Sequence, residues 1–297
     1  MRDCLPWLLT LGAGCRELLA FFKRSHKLWF VLRRKLKEKK LRALVLPGDT
    51  RWESLLACLD SVLTAGSFLF SMVPARDFQS AKTKSQRQKR KSVFNLVTSR
   101  DFVSQLKRDI NLLRVIAKHL VKFEKDSTPI SEVYNTFLDM PSEFSACNLT
   151  PRELKSVEGI ITKRFDFVYG DAHGLAYLLD PRFCGDGMDV STRRSVEKFM
   201  SGWFGEDKAD DVLIQPAFYH GYVTELKIST SRQWKLLGEG RPPVFDFWCG
   251  LKKFDLLQEI TKQLFRCAGS TSAAERNFST HAFIHSKLRN WLTPRSR

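Results

Sequence analysis

Apolar residues return every three or four positions along most of this chain, the interval that gathers them on one face of an α-helix. The clearest run is 99–125, where Phe102, Leu106, Ile110, Leu113, Ile116, Ala117, Leu120 and Phe123 keep that spacing. Positions 5, 8, 12, 15, 19 and 22 do the same and predict one long helix from 5 to about 36. After the Pro47-Gly48-Asp49 turn, Asp49 or Thr50 can cap a helix from about Trp52 to Met72, with Leu55, Leu59, Val62 and Leu69 on its buried side. Further helices are predicted over about 129–139, 151–168, 190–204, 208–228, 243–250 and 253–267, and a short one between Gly170 and Leu179 stops at Asp180-Pro181. Thr150-Pro151-Arg152-Glu153 is a strong start signal, with Thr at the N-cap and Pro at the first helical position. Leu44-Val45-Leu46 reads as strand-like or extended, and 238–243 as a loop.

The polar pattern breaks the chain at 76–92, where Lys82, Lys84, Arg87, Lys89, Arg90 and Lys91 follow Phe78 without another large apolar residue. This stretch is read as a flexible linker or exposed loop, and Lys89-Arg90-Lys91 as a short nuclear import signal. At 297 residues and 43% apolar composition, the chain can bury one large core, or a core with a helical subdomain. Its formal charge of +17 points to a nucleic-acid partner, with an anionic membrane surface as the other candidate. The charge is dense after residue 22: Lys23, Arg24, Lys27, Arg33, Arg34, Lys35, Lys37, Lys39, Lys40 and Arg42 face the single acid Glu38. A phosphate-facing surface and a solvated helix face stand as even alternatives there.

Other chemistries find little support. The seven cysteines form no Cys-x-x-Cys pair, so reduced thiols in the cytosol or nucleus are expected. The apolar residues near the start are interrupted by Cys15-Arg16-Glu17, unlike a signal peptide, and nowhere does an uncharged apolar run reach the ~20 residues of a membrane span. The chain is therefore expected to be soluble and not exported. His281 and His285 have an i, i+4 spacing but lack a companion ligand, Asp207, Asp210 and Asp211 lack the alternation of a calcium loop, and there is no Gly-x-Ser-x-Gly elbow.

Three separated blocks resemble hAT superfamily DNA transposases and occur in that family's order. Leu46-Pro47-Gly48-Asp49-Thr50-Arg51-Trp52-Glu53-Ser54 resembles the family's Thr-Arg-Trp-x-Ser block. Ala176-Tyr177-Leu178-Leu179-Asp180-Pro181-Arg182-Phe183 resembles its Leu-Asp-Pro-Arg-Phe block. Ser270 to Ser279, with Ala274, Glu275, Arg276 and Phe278, resembles the Ser-Ala-x-Ser-Glu-Arg-x-Phe-Ser segment of its dimerisation region, followed by the basic Lys287-Leu288-Arg289-Asn290-Trp291-Leu292.

The resemblance implies an RNase H-like α/β core interrupted by a large all-helical insertion, with three carboxylates holding two divalent metals for phosphodiester chemistry. Glu275 matches the third carboxylate, Trp52 the base-stacking tryptophan, and Arg51 a phosphate contact. Residues beside these have plain structural readings: Glu275 as a first-turn helix acid, Trp52 as a core tryptophan, Asp180 as a turn residue. The family's first two aspartates and its Cys-x-x-His block have no counterpart, and the chain is expected to begin just after them and to stop short of the full dimerisation region.

The resulting expectation is a mainly α protein, the remnant of an RNase H-like core with a helical insertion. Its expected segments are a partial core over 1–75, a basic linker over 76–98, the insertion over 99–242 and core helices with a truncated dimerisation region over 243–297. Its expected function is non-specific DNA binding in the nucleus through Arg51, Trp52, Lys23, Arg24, Lys27, Arg33, Arg34, Lys35, Lys287 and Arg289. Homodimers or family-member assemblies are expected through Ala274, Arg276, Phe278 and Ser279, with no catalysis, no membrane and no cofactor. Mg2+ or Mn2+ would enter only with a complete carboxylate site. The alternatives are an active metal-dependent strand-transfer enzyme and a helical interaction module with no nucleic-acid role.

Overall fold

The computed structural model describes residues 5–48, 52–81, 83–229, 232–272 and 275. The described chain is helical throughout, and its one β contact is an isolated antiparallel bridge between Pro129 and Ala268. The mainly α expectation holds, but the described residues contain no RNase H-like α/β core. The stretch Leu44-Val45-Leu46 is not a strand. A strand needs a neighbouring backbone to pair with; here the Val45 N–H donates instead to Ser61 Oγ on a helix, at 3.1 Å.

Two compact units share the chain, and they are not consecutive stretches: 1–118 with 141–160, and 119–140 with 161–297. The first contains α1 (Pro6–Arg24), α2 (His26–Glu38), α3 (Trp52–Thr64), α4 (Gly66–Met72), α5 (Arg76–Gln79) and α6 (Lys84–Thr98). Three longer helices, α7 (Phe102–Phe123), α8 (Ser131–Ser145) and α9 (Pro151–Val168), contribute residues to both units.

In the first unit α1 is central and packs on α2, α3 and α6. Its buried stripe is Leu8, Leu11, Cys15, Leu18, Leu19 and Phe22. Two glycines let its neighbours approach closely. A Cβ on Gly12 would meet Leu55 of α3 at 3.0 Å, and one on Gly14 would meet Leu96 of α6 at 3.3 Å. The long helix expected over 5–36 is broken at Ser25, whose backbone is extended. The cause lies in the phase of the two apolar stripes. At 100° per residue, Leu28, Leu32 and Leu36 sit roughly 100° round from the α1 stripe, so a straight helix could not turn both toward one core.

The expected linker at 76–98 is another correction. Lys84–Thr98 is a helix, capped by Thr83, whose side chain accepts from the Gln86 N–H at 3.2 Å, and anchored by buried Val93 and Val97. A strongly polar segment hides such a helix, because few of its residues need burial for it to pack.

The first unit also buries a carboxylate. Asp109 is fully enclosed; Arg108 Nε meets its Oδ1 at 3.1 Å, while its Oδ2 has no hydrogen-bond partner. Burial pushes its carboxyl up to about 6, with Arg108 opposing the shift. Arg108 also reaches Glu153 at 3.0 Å. Glu153 in turn closes the capping box predicted at the start of α9: the Thr150 N–H donates to Glu153 Oε2 at 2.9 Å, and the Glu153 N–H to Thr150 Oγ1 at 3.3 Å.

The second unit is built around α10 (Asp171–Leu179), which is buried from Gly174 to Leu179. Around it lie α11 (Val190–Ser201), α12 (Ala209–Ile228), α13 (Arg232–Gly238), α14 (Val244–Gly250) and α15 (Asp255–Leu264). Gly174 is a point of close approach: a Cβ there would meet Val196 of α11 at 2.6 Å. The Leu179 carbonyl at the end of α10 accepts from both the Tyr219 hydroxyl at 2.8 Å and the Trp248 indole at 3.0 Å.

Among the described residues no single helix is long and apolar enough to cross a membrane. The bent pair of α3 and α4 passes by length and composition only, and it carries buried Cys58, Leu59, Val62 and Leu69.

Candidate nucleic-acid interface

The two units divide the charge very unequally. Lys and Arg outnumber Asp and Glu by 27 to 12 in the segments of the first unit, and by 22 to 20 in those of the second. Nearly all of the net charge therefore belongs to one folded unit, which an evenly solubilising distribution would not produce.

Within that unit the densest surface is α2. Its inward stripe is Leu28, Leu32 and Leu36. The opposite face carries His26, Trp29, Phe30, Arg33, Arg34 and Lys37 at intervals of three and four. Lys40, Leu41 and Ala43 continue beyond the helix end, and together these residues line an open groove of about 1060 Å³ with no acidic residue in its lining. Phe30 is 68% exposed. Lys23, near the end of α1, places its ammonium 5.8 Å from the Trp29 ring centre, which brings it to the edge of the groove.

Two of these cations have acidic partners, both at the surface. Lys27 meets Asp77 at 3.1 Å, and Arg34 meets Glu38 at 3.6 Å one turn along the helix. Exposed pairs of this kind are worth little and are easily exchanged for a phosphate. Among the described residues, no acidic side chain pairs with Arg33, Lys37 or Lys40.

Of the residues expected to touch DNA, Lys23, Arg24, Lys27, Arg33 and Arg34 are exposed on this surface. Lys35 is half-buried beside the inward stripe and does not line the groove. The groove adds His26, Trp29, Phe30, Lys37 and Lys40. Their common spacing is present in the sequence, but the outward direction of Phe30 follows only from which stripe of α2 the core takes.

The basic helix α6 exposes Lys84, Arg87, Lys89 and Lys91. Arg90 is different: it lies against the rings of Phe21 and Phe78, at 5.7 and 5.8 Å, and donates to the Phe78 carbonyl. The trio Lys89-Arg90-Lys91 is thus held in a helix with its middle side chain engaged.

The transposase-like blocks fall as follows. Arg51, the Trp52 side chain, Ala274, Arg276, Phe278, Ser279, His281, His285, Lys287 and Arg289 lie outside the described residues. Trp52 does begin α3, where the block predicted a helix start, and Ser54 Oγ accepts from the Gly48 N–H at 2.9 Å. Glu275 is exposed, and its carboxylate accepts from Thr271 Oγ1 at 3.2 Å. No group of three or more His, Cys, Asp or Glu side chains that could hold a metal occurs among the described residues, and Asp207, Asp210 and Asp211 are exposed.

The Leu-Asp-Pro-Arg-Phe block has a structural task larger than the turn expected of Asp180. Asp180 is fully buried. It accepts from Arg182 Nε at 2.9 Å, Arg182 Nη2 at 2.7 Å, the Arg182 N–H at 3.0 Å and Ser131 Oγ at 2.7 Å. Arg182 Nη1 also donates to Glu132 at 2.6 Å, and Glu132 pairs with Lys122. Ser131 and Glu132 are far away in sequence and carry no local signal, so only the fold reveals them.

Compared with known proteins, the chain matches no family model and no curated sequence.

Proposed function

We propose that this chain is a DNA-binding protein of hAT-transposase ancestry that holds the phosphate backbone through the basic surface of its first unit. The observation that carries this reading is the acid-free groove on α2, where Arg33, Arg34, Lys37 and Lys40 border exposed Phe30 and half-buried Trp29. Exposed guanidinium and ammonium groups on one folded face neutralise phosphates and release counterions, without reading sequence. The three blocks in family order support the ancestry. The helical make-up suits the insertion part of that ancestry and gives no support to the RNase H-like part.

The same reading assigns the protein to the nucleus, with no catalysis, no resident metal and no membrane. Glu275 is then an acid of the first helical turn, and self-association runs through the C-terminal segment around Phe278. Titration of a labelled duplex tests the central claim. Affinity should fall steeply as salt rises, and replacing Arg33, Arg34 and Lys37 together by Ala should flatten that dependence. Absence of binding at low salt would end this reading. Cleavage or joining of DNA on addition of Mg2+ or Mn2+ would instead favour the strand-transfer enzyme.

A further inference from the structure

We infer that the α2 groove prefers single-stranded over duplex DNA, with Phe30 as its stacking residue. This inference rests on the DNA-binding reading above. Phosphate contacts alone do not need aromatic side chains, and a chain this basic needs none at its most charged surface for solubility. Yet Phe30 stands 68% exposed between His26 and Arg33, with Trp29 beside it. The helical spacing that turns Leu28, Leu32 and Leu36 into the core necessarily turns Phe30, Arg33, Arg34 and Lys37 outward together.

Phenylalanine has no hydrogen-bonding group with which to read the edges a duplex displays in its grooves. What a free ring can bind is the π-face of a base, and bases offer that face only when unstacked. A groove with aromatic residues in its wall and cations a turn (about 5.4 Å) away joins the two contacts a single strand makes. Lys23 over the Trp29 ring adds a cation at the groove edge. An anionic membrane fits less well. Membrane-surface helices bury a broad continuous apolar face, and the apolar stripe of α2 is already inside the protein, leaving rings interleaved with charge.

The test measures binding of the full chain to a labelled thymidine oligonucleotide, to a duplex of equal length and to phosphatidylserine-containing vesicles, at matched salt. The single strand should bind roughly tenfold more tightly than the duplex. Phe30→Ala should weaken the single strand by roughly tenfold or more, weaken the duplex far less and leave the salt slope unchanged. Phe30→Trp should restore binding, and circular dichroism should show equal helix content for all variants. Equal affinity for strand and duplex would overturn the preference, as would a Phe30→Ala loss of the same size on both. If the duplex still bound with steep salt dependence, the DNA-binding reading would survive that result. Phe30-dependent vesicle binding that the oligonucleotide fails to compete would also overturn the inference. Failure of both nucleic acids at low salt would remove it together with the reading beneath it.

Discussion

The two units use charge in opposite ways. The second has almost equal numbers of acids and bases, and it buries two of its acids, Asp180 and Glu132, in a linked set with the half-buried Arg182 and Lys122. The first has a large excess of bases and keeps most of them outside; its buried acid, Asp109, is only partly satisfied. An internal charge must be matched closely, because an unpaired one costs several kcal/mol. A surface charge can be left in excess at little cost to the fold, and is then available to a partner. Where the charge sits therefore indicates whether it holds the structure or faces a ligand.

Four variants test that contrast, in falling order of effect on stability. Asp180→Ala leaves Arg182 and Ser131 without their shared acceptor and should cost about 3–5 kcal/mol, measured as a lower midpoint of denaturant unfolding. Asp109→Asn should act in the other direction. The Asp109 carboxyl has an ordinary value of 3.8 and is pushed up to about 6 in the fold. Between these values the folded protein holds a proton that the unfolded chain has released, so stability falls as pH rises through that window. Above it the full penalty stands, about 3 kcal/mol. Asp109→Asn should raise the melting temperature at neutral pH and remove this part of the gain on acidification. A lower melting temperature would mean that the Arg108 pairing outweighs burial.

Thr150→Ala should cost about 1 kcal/mol through loss of the reciprocal cap on α9. The smallest effect is expected from Arg33→Glu, Arg34→Glu and Lys37→Glu combined, within about 0.5 kcal/mol per site. The same variant should lose most of its DNA affinity. If it unfolded instead, the surface charges would be structural and the contrast between the units would fail.

Much of the helical layout was legible in the sequence, because helix starts and apolar periodicity are local. Thr150-Pro151 and the Asp180-Pro181 stop announce themselves within a few residues. The break at Ser25 was also encoded, in the phase slip between Phe22 and Leu28, but no Pro or Gly marks it. The α6 helix was hidden by its own polarity. The Asp180 network could not be read, since Ser131 and Asp180 are 49 residues apart. The charge excess was visible along 1–118, but the return of 141–160 to the first unit was not. In the candidate groove, the cations were visible as a run, whereas the outward direction of Phe30 depends on which stripe of α2 the core accepts.

That returning segment also sets an order of events during synthesis. A ribosome delivers Arg108 well before Glu153, its partner at 3.0 Å. The first unit therefore cannot be finished as it emerges. Until α9 has been made, the Arg108 guanidinium has only the neighbouring Asp109 as an acidic partner, and the nascent chain carries an incomplete, highly cationic unit through that interval.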